Sequence, residues 1–199
     1  MEERGPLIMI TGGNRSGKSS LAEEMAARAR GEVIYLATAT VSDAEMAARV
    51  ARHRRRRPAS WRTVEAPLEV TAVVKREGQE ATTLLVDSLG MWLTNLLGNY
   101  DGEEAGSQEQ QEKIIEGIMV KVRELAAAAR EARARVIVVT DEVGLGLVPP
   151  YPLGRLFRDL LGLANQELAR QADAVYLVVA GLPVVLKDKG KPTFFPYGG

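Results

Sequence analysis

A chain of 199 residues, 46% of them hydrophobic, can bury a sizeable core, and no shift in composition marks a second unit, so one α/β domain over 1–199 is expected. Its 26 basic residues balance its 26 acidic ones, which leaves no global field to draw the protein onto nucleic acid or an anionic membrane. Cysteine is absent, which excludes disulfides and thiolate metal sites; with no signal pattern and no apolar run near the roughly 18 residues a span needs, a soluble cytoplasmic protein is expected.

The first apolar run, 7–10, reads as a buried strand and leads into Gly12-Gly13-Asn14-Arg15-Ser16-Gly17-Lys18-Ser19, a complete G-x-x-x-x-G-K-S phosphate loop. Gly12 and Gly17 lack a Cβ, so the backbone can curl and aim several N–H groups at one phosphate chain. Lys18 adds charge at the β/γ-phosphates, and the Ser19 hydroxyl is placed for Mg²⁺. The helix predicted over 19–29 presents its positive end to the anion and stops near Gly31.

A second strand follows at 33–38. Ser42, with Glu45 three residues on, forms a capping box, so a helix should run from Asp43 until Pro58 breaks it. A short strand is expected at 61–64, and Pro67 fits the first turn of a helix ending by Gly78. The run 82–86 is β-branched and apolar and closes on Asp87, which resembles a Walker B element able to hold Mg²⁺ or its water across from Ser19. The other use for Asp87 is as a cap for the helix predicted over 88–97.

Residues 98–107 are polar and contain glycine, hence a loop, and 108–132 is a long helix with Ile114, Ile115, Ile118, Val122 and Leu125 at helical spacing. The fourth core strand, 136–140, ends in Asp141-Glu142-Val143-Gly144. Pro149, Pro150 and Pro152 exclude regular structure before a helix over 153–171. A fifth strand is expected at 174–179, and 184–186 with 193–195 reads as an edge hairpin.

Apolar strands alternating with helices imply a mainly parallel sheet covered on both faces, with ligands at the carboxyl ends of the strands. The expected fold is therefore a P-loop NTPase-like, RecA-like three-layer α/β fold. That arrangement brings 12–19, Ala37, Thr38, Asp87, Asp141 and Glu142 to one rim.

His53 is the sole histidine, and Met46, Val50, His53 and Arg57 share one helical stripe. A lone histidine on such a face is usually packing. Its neighbours Arg52, Arg54, Arg55, Arg56 and Arg57 argue for more, since they can hold a triphosphate beside a nucleophilic imidazole that charge repulsion keeps neutral. The arginines also suit a solvated helix end; a nucleic-acid patch fits poorly, because no aromatic residues interleave to stack bases. Asp87-Ser88-Leu89-Gly90 fits the D-x-x-G of regulatory GTPases, but no N-K-x-D element accompanies it.

The phosphate loop, Tyr35-Leu36-Ala37-Thr38, the stretch 43–50 with His53, Arg57-Pro58 and Trp61-Arg62-Thr63, then Glu142-Val143-Gly144 with Val148-Pro149, occur in this order. Together they resemble the bifunctional adenosylcobinamide kinase / adenosylcobinamide-phosphate guanylyltransferase family over about 8–186. The resemblance implies two reactions of cobalamin biosynthesis. In one, the aminopropanol hydroxyl of adenosylcobinamide takes the γ-phosphoryl group of ATP or GTP. In the other, a histidine takes GMP from GTP and passes it to the corrinoid phosphate, giving adenosylcobinamide-GDP.

Carried over by position, the resemblance places nucleotide contacts on Gly12, Gly13, Asn14, Arg15, Ser16, Gly17, Lys18, Ser19, Leu36, Ala37, Thr38, His53, Arg54, Arg55, Arg56, Glu65 and Asp87. Lys18 and His53 are the catalytic pair, and Ser19 and Asp87 hold Mg²⁺. Relatives can carry two adjacent histidines at the end of the arginine-rich helix, the first of them nucleotidylated; here Arg52 stands first and His53 second. Asp141 stands where relatives often have Asn. The expected partners are GTP or ATP and a corrinoid, within a homo-oligomer; nucleic acid and a membrane span are not expected. A kinase without guanylyl transfer and a regulatory nucleotide switch are the competing functions.

Overall fold

The computed structural model describes residues 4–29, 31–40, 47, 50–51, 54–55, 57–79, 82–98, 100 and 107–193. Its strands are β1 (Leu7–Gly12), β2 (Val33–Ala37), β3 (Arg62–Glu65), β4 (Thr83–Asp87), β5 (Arg135–Val139), β6 (Ala174–Val179), β7 (Leu182–Asp188) and β8 (Lys191–Pro192). Its helices are α1 (Lys18–Ala27), α2 (Val70–Glu77), α3 (Leu89–Leu97), α4 (Gln108–Glu131) and α5 (Pro152–Gln171).

The strands form one eight-stranded sheet in the order β3-β2-β4-β5-β1-β6-β7-β8. Pairing is parallel from β3 through β6 and antiparallel at β6/β7 and β7/β8. Each central strand divides its apolar residues between two cores by the period of two that a strand imposes. Leu7 and Met9, Ile34 and Leu36, Leu84 and Val86, and Val136 and Val138 face a core shared with α2, α3, α4 and α5. Ile8 and Ile10, Tyr35, Leu85, and Ile137 and Val139 face the other, under Ala22 and Ala26 of α1. The expected three layers and mainly parallel sheet are present.

Three details differ from expectation: the start of α2, the cap of α3 and the extent of the edge hairpin. Pro67 precedes helix α2, which begins at Val70, because the carbonyls of Pro67 and Leu68 accept bonds from Asn95 Nδ2 (2.9 Å) and Trp92 Nε1 (2.9 Å) of α3. Ser88, and not Asp87, caps α3, its hydroxyl accepting from the Met91 N–H at 3.3 Å. Helix α4 starts at Gln108, as expected, from a capping box of Ser107 and Gln110 that the sequence reading passed over. Strand β7 is longer than 184–186 and pairs with β6 as well as β8, so the edge hairpin turns at Lys189 and Gly190; 194–195 lie outside the described residues. In the helix expected from Asp43, residues 47, 50, 51, 54 and 55 are helical, while Ser42, Glu45, Arg52, His53 and Arg56 lie outside the described residues.

Candidate active site

The phosphate loop owes its shape to two glycines. A Cβ on Gly12 would stand 2.6 Å from Ser16 Oγ and 2.6 Å from the carbonyl oxygen of Val178 on β6, so no side chain fits. Gly17 caps α1 with φ at 102°, in the left-handed region that glycine enters without strain. The loop is pinned by Ser16 N–H donating to Gly13 O (3.2 Å) and by Gly181 N–H, from the β6–β7 turn, donating to Ser16 O (2.8 Å). The first turn of α1 has no acidic residue and no side-chain cap, so its N–H groups and positive end are left for an anion. The Ser16 hydroxyl is buried without a partner among the described residues.

In front of this loop lies an open cavity of about 600 Å³, which Asn14, Lys18 and Ser19 share with Asp87, Asp141 and Glu142. Ala37 and Glu65, from the ends of β2 and β3, line it too. Lys18 Nζ lies 2.7 Å from Asp141 Oδ1 and donates to Gly13 O at 3.2 Å. Asp87, at the carboxyl end of β4, accepts a 2.9 Å hydrogen bond on Oδ2 from the Tyr35 hydroxyl. Burial and the nearby Asp87 charge push the Tyr35 phenol well above its ordinary pKa, so it stays a neutral donor. The Arg57 guanidinium covers the Tyr35 ring, 3.5 Å from its centroid.

Polar residues buried behind the rim hold the strand ends in place. Thr38, fully buried, donates to the Ser88 carbonyl and accepts from the Ser88 N–H, both at 2.8 Å. Asn95 donates to the carbonyls of Thr38 (2.7 Å) and Pro67 (2.9 Å) and accepts from Thr40 Oγ1 (3.0 Å). Asn165 of α5 accepts from Thr140 Oγ1 (2.7 Å) and donates to the Asp141 carbonyl (3.0 Å). The sequence reading gave no role to Tyr35, which it met only within the motif 35–38, and passed over Asn95 and Asn165; Asn95 is a polar side chain in the largely apolar last turns of α3, and Asn165 has no distinct signal in the mixed sequence of α5.

The structure thus gathers Asn14, Lys18, Ser19, Ala37, Glu65 and Asp87 around one cavity, with Gly12, Gly13, Arg15, Ser16 and Gly17 shaping the loop beneath. Leu36 lies in the core, fully buried, and Thr38 serves Ser88, so the side chains of these two offer a ligand no surface. Arg54 and Arg55 are exposed on the helical stretch and are not among the lining residues; His53 and Arg56 lie outside the described residues. Gly90 of the D-x-x-G pattern has a packing reason, since a Cβ there would stand 3.0 Å from Asp141 Oδ2.

Known proteins resemble this chain in sequence and in fold. The family described as cobinamide kinase / cobinamide phosphate guanyltransferase matches residues 8–186. The chain is 42% identical over 181 residues to the bifunctional adenosylcobalamin biosynthesis protein CobP of Pseudomonas aeruginosa, covering 91% of this chain and 97% of that one. It is 38% identical over 181 residues to the bifunctional adenosylcobalamin biosynthesis protein CobU of Escherichia coli, covering 91% of this chain and 99% of that one. In fold alone it is similar to an ATPase from the type III secretion system of pathogenic bacteria, with a TM-score of 0.57 at 12% identity, over 92% of this chain and 57% of that chain. The fold is that of the P-loop NTPases, and the chain belongs to the cobinamide kinase / cobinamide phosphate guanyltransferase family.

Proposed function

We propose that the chain catalyses both reactions for which its family is described, phosphorylation of adenosylcobinamide and guanylyl transfer to the product. The observation that carries the kinase half is the phosphate loop facing Asp87 across one cavity, with Lys18 and Ser19 on its wall. The corrinoid hydroxyl oxygen bonds to the γ-phosphorus of ATP or GTP as the bond to the β,γ-bridging oxygen breaks; the nucleoside diphosphate leaves and the hydroxyl proton passes to solvent. Lys18 and the loop N–H groups hold the charge that spreads over the phosphoryl oxygens. Ser19 and Asp87 are hard oxygen donors of the kind Mg²⁺ accepts while keeping water and phosphate ligands, so they fit it. When bound there, Mg²⁺ neutralises phosphate charge.

In the guanylyl half, His53 is the nucleophile. One imidazole nitrogen bonds to the α-phosphorus of GTP and pyrophosphate leaves; the corrinoid phosphate oxygen then displaces the histidine. Exposed Arg54 and Arg55 follow it in the sequence and supply positive charge for a triphosphate. Incubation with α-labelled GTP tests this half, because only a guanylylated protein retains acid-labile GMP. A protein that phosphorylates the corrinoid and retains no label is a kinase alone, the reading that Arg52 in the first histidine position favours.

The enzyme is further proposed to work as a cytoplasmic homo-oligomer. Among the described residues no helix is long and apolar enough to cross a membrane. Leu145, Leu147 and Val148 are 87%, 96% and 66% exposed on one loop beside the cavity, apolar area that a second copy would cover. Light scattering of the purified protein measures that assembly directly.

A further inference from the structure

The carboxylate of Asp141 stands where negative charge conflicts with a polyphosphate. Its Oδ1 lies 2.7 Å from Lys18 Nζ, the cation intended for the β/γ-phosphates, and its Oδ2 lies over the first turn of α3 at Gly90. The backbone delivers it there. Asn165, buried on α5, bonds both Thr140 Oγ1 and the Asp141 carbonyl, and the next N–H, of Glu142, donates to Gly12 O at 3.0 Å. These contacts tie the segment to α5 on one side and to the start of the phosphate loop on the other. Asp87, Glu142 and Glu65 line the same cavity, so carboxylates outnumber the lining cations Lys18 and Arg57 among the described residues.

We infer that Asp141 is a specificity-determining residue that makes nucleotide capture depend on a divalent cation. The inference rests on reading the phosphate loop as the nucleotide site. In the empty site Asp141 neutralises Lys18. An incoming triphosphate must take Lys18 from that carboxylate and then sit beside its charge. A metal-free triphosphate carries far more negative charge than its Mg²⁺ complex, so the repulsion falls mainly on the metal-free form. Asparagine at this position leaves Lys18 an oxygen acceptor of the same shape and removes the charge.

The test is equilibrium titration of GTP against wild type and Asp141→Asn, once with Mg²⁺ and once with EDTA, on protein whose folding is checked by thermal melting. Asp141→Asn is expected to tighten metal-free GTP roughly tenfold and to change Mg²⁺-GTP much less, so that the two dissociation constants draw together. Lys18→Ala should also weaken Mg²⁺-free binding more in the Asp141→Asn background than in wild type, because there Lys18 leaves no carboxylate partner when it takes the phosphates. Equal shifts in both conditions, or no shift, would overturn the inference and leave Asp141 a structural tether. If Asp141→Asn fails to fold, Asp141→Ser makes the same charge change and is read in the same way. Wild type that takes GTP under neither condition overturns the phosphate-loop reading itself, a separate failure from the one in which it binds and the variant does not differ.

Discussion

The Tyr35 hydroxyl donates to Asp87 Oδ2 at 2.9 Å from a ring that Arg57 covers at 3.5 Å, so one buried side chain joins the end of the arginine-rich stretch to the carboxylate at the tip of β4. The bond fixes which way the carboxylate turns, which a metal ligand requires. Tyr35→Phe keeps the ring and removes the bond. It should raise the Mg²⁺ concentration for half-maximal activity several-fold at a stability cost of about 1 kcal/mol. A Mg²⁺ titration with a parallel urea melt measures both, and a variant that loses stability alone would return Tyr35 to packing.

Lys18→Ala should reduce phosphoryl transfer by about 10²-fold or more while the fold survives. Lys18 serves a carboxylate and a carbonyl at the cavity wall and is not part of either apolar core. Steady-state kinase assays beside a circular-dichroism spectrum separate the two effects. Near wild-type turnover would remove Lys18 from the reaction.

Asp87→Asn should weaken Mg²⁺-dependent activity far more than it lowers the melting temperature. The capping of α3 belongs to Ser88, so the helix keeps its start when the charge at 87 is lost. An unchanged Mg²⁺ requirement in the variant contradicts the metal role.

His53→Asn should lose covalent GMP and guanylyl transfer yet keep kinase activity, since attack by a substrate hydroxyl on γ-phosphorus needs no protein nucleophile. The adduct on the wild-type protein should be a phosphoramidate, lost in acid and retained in base. Autoradiography after acid and alkali treatment reads this out. Labelling that persists in the variant would place the nucleophile elsewhere.

Asp173 predicts an acid limb in the stability profile. Its carboxyl is held at about 2, below its ordinary 3.8, chiefly by hydrogen bonds from Arg4 at 2.7 and 2.8 Å and then by the Leu7 N–H at 2.9 Å. Because the folded value lies below the unfolded one, the stabilisation is complete above about pH 4 and fades as pH falls toward 2. With Arg4 40% exposed and solvent screening allowed for, the contribution is about 1–2 kcal/mol. Asp173→Asn should lose that amount at pH 7 in urea melts and only a small fraction of it near pH 2; a gap of equal size at both values would assign the effect to something other than the carboxylate's charge.

Features that are local or periodic can be read from the order of residues alone. The octapeptide 12–19 is contiguous, and the strands' apolar runs and the helices' spacing declare themselves within a few residues, so the phosphate loop, the mainly parallel sheet and the family were legible at once. Which polar residues serve the cavity and which serve the frame follows from contacts between distant segments. Thr38 and Ala37 are adjacent on one strand end, yet Ala37 lines the cavity while Thr38 is fully buried against Ser88, 50 positions along the chain. Tyr35 reads as one more strand aromatic until β2 and β4 pair in register and bring Asp87, 52 positions away, against its hydroxyl. Lys18 looks free for a phosphate until β1 and β5 lie side by side and bring Asp141 against it. A side chain's type and spacing limit what it can bond, but its partner is chosen by strands that meet only in the folded sheet.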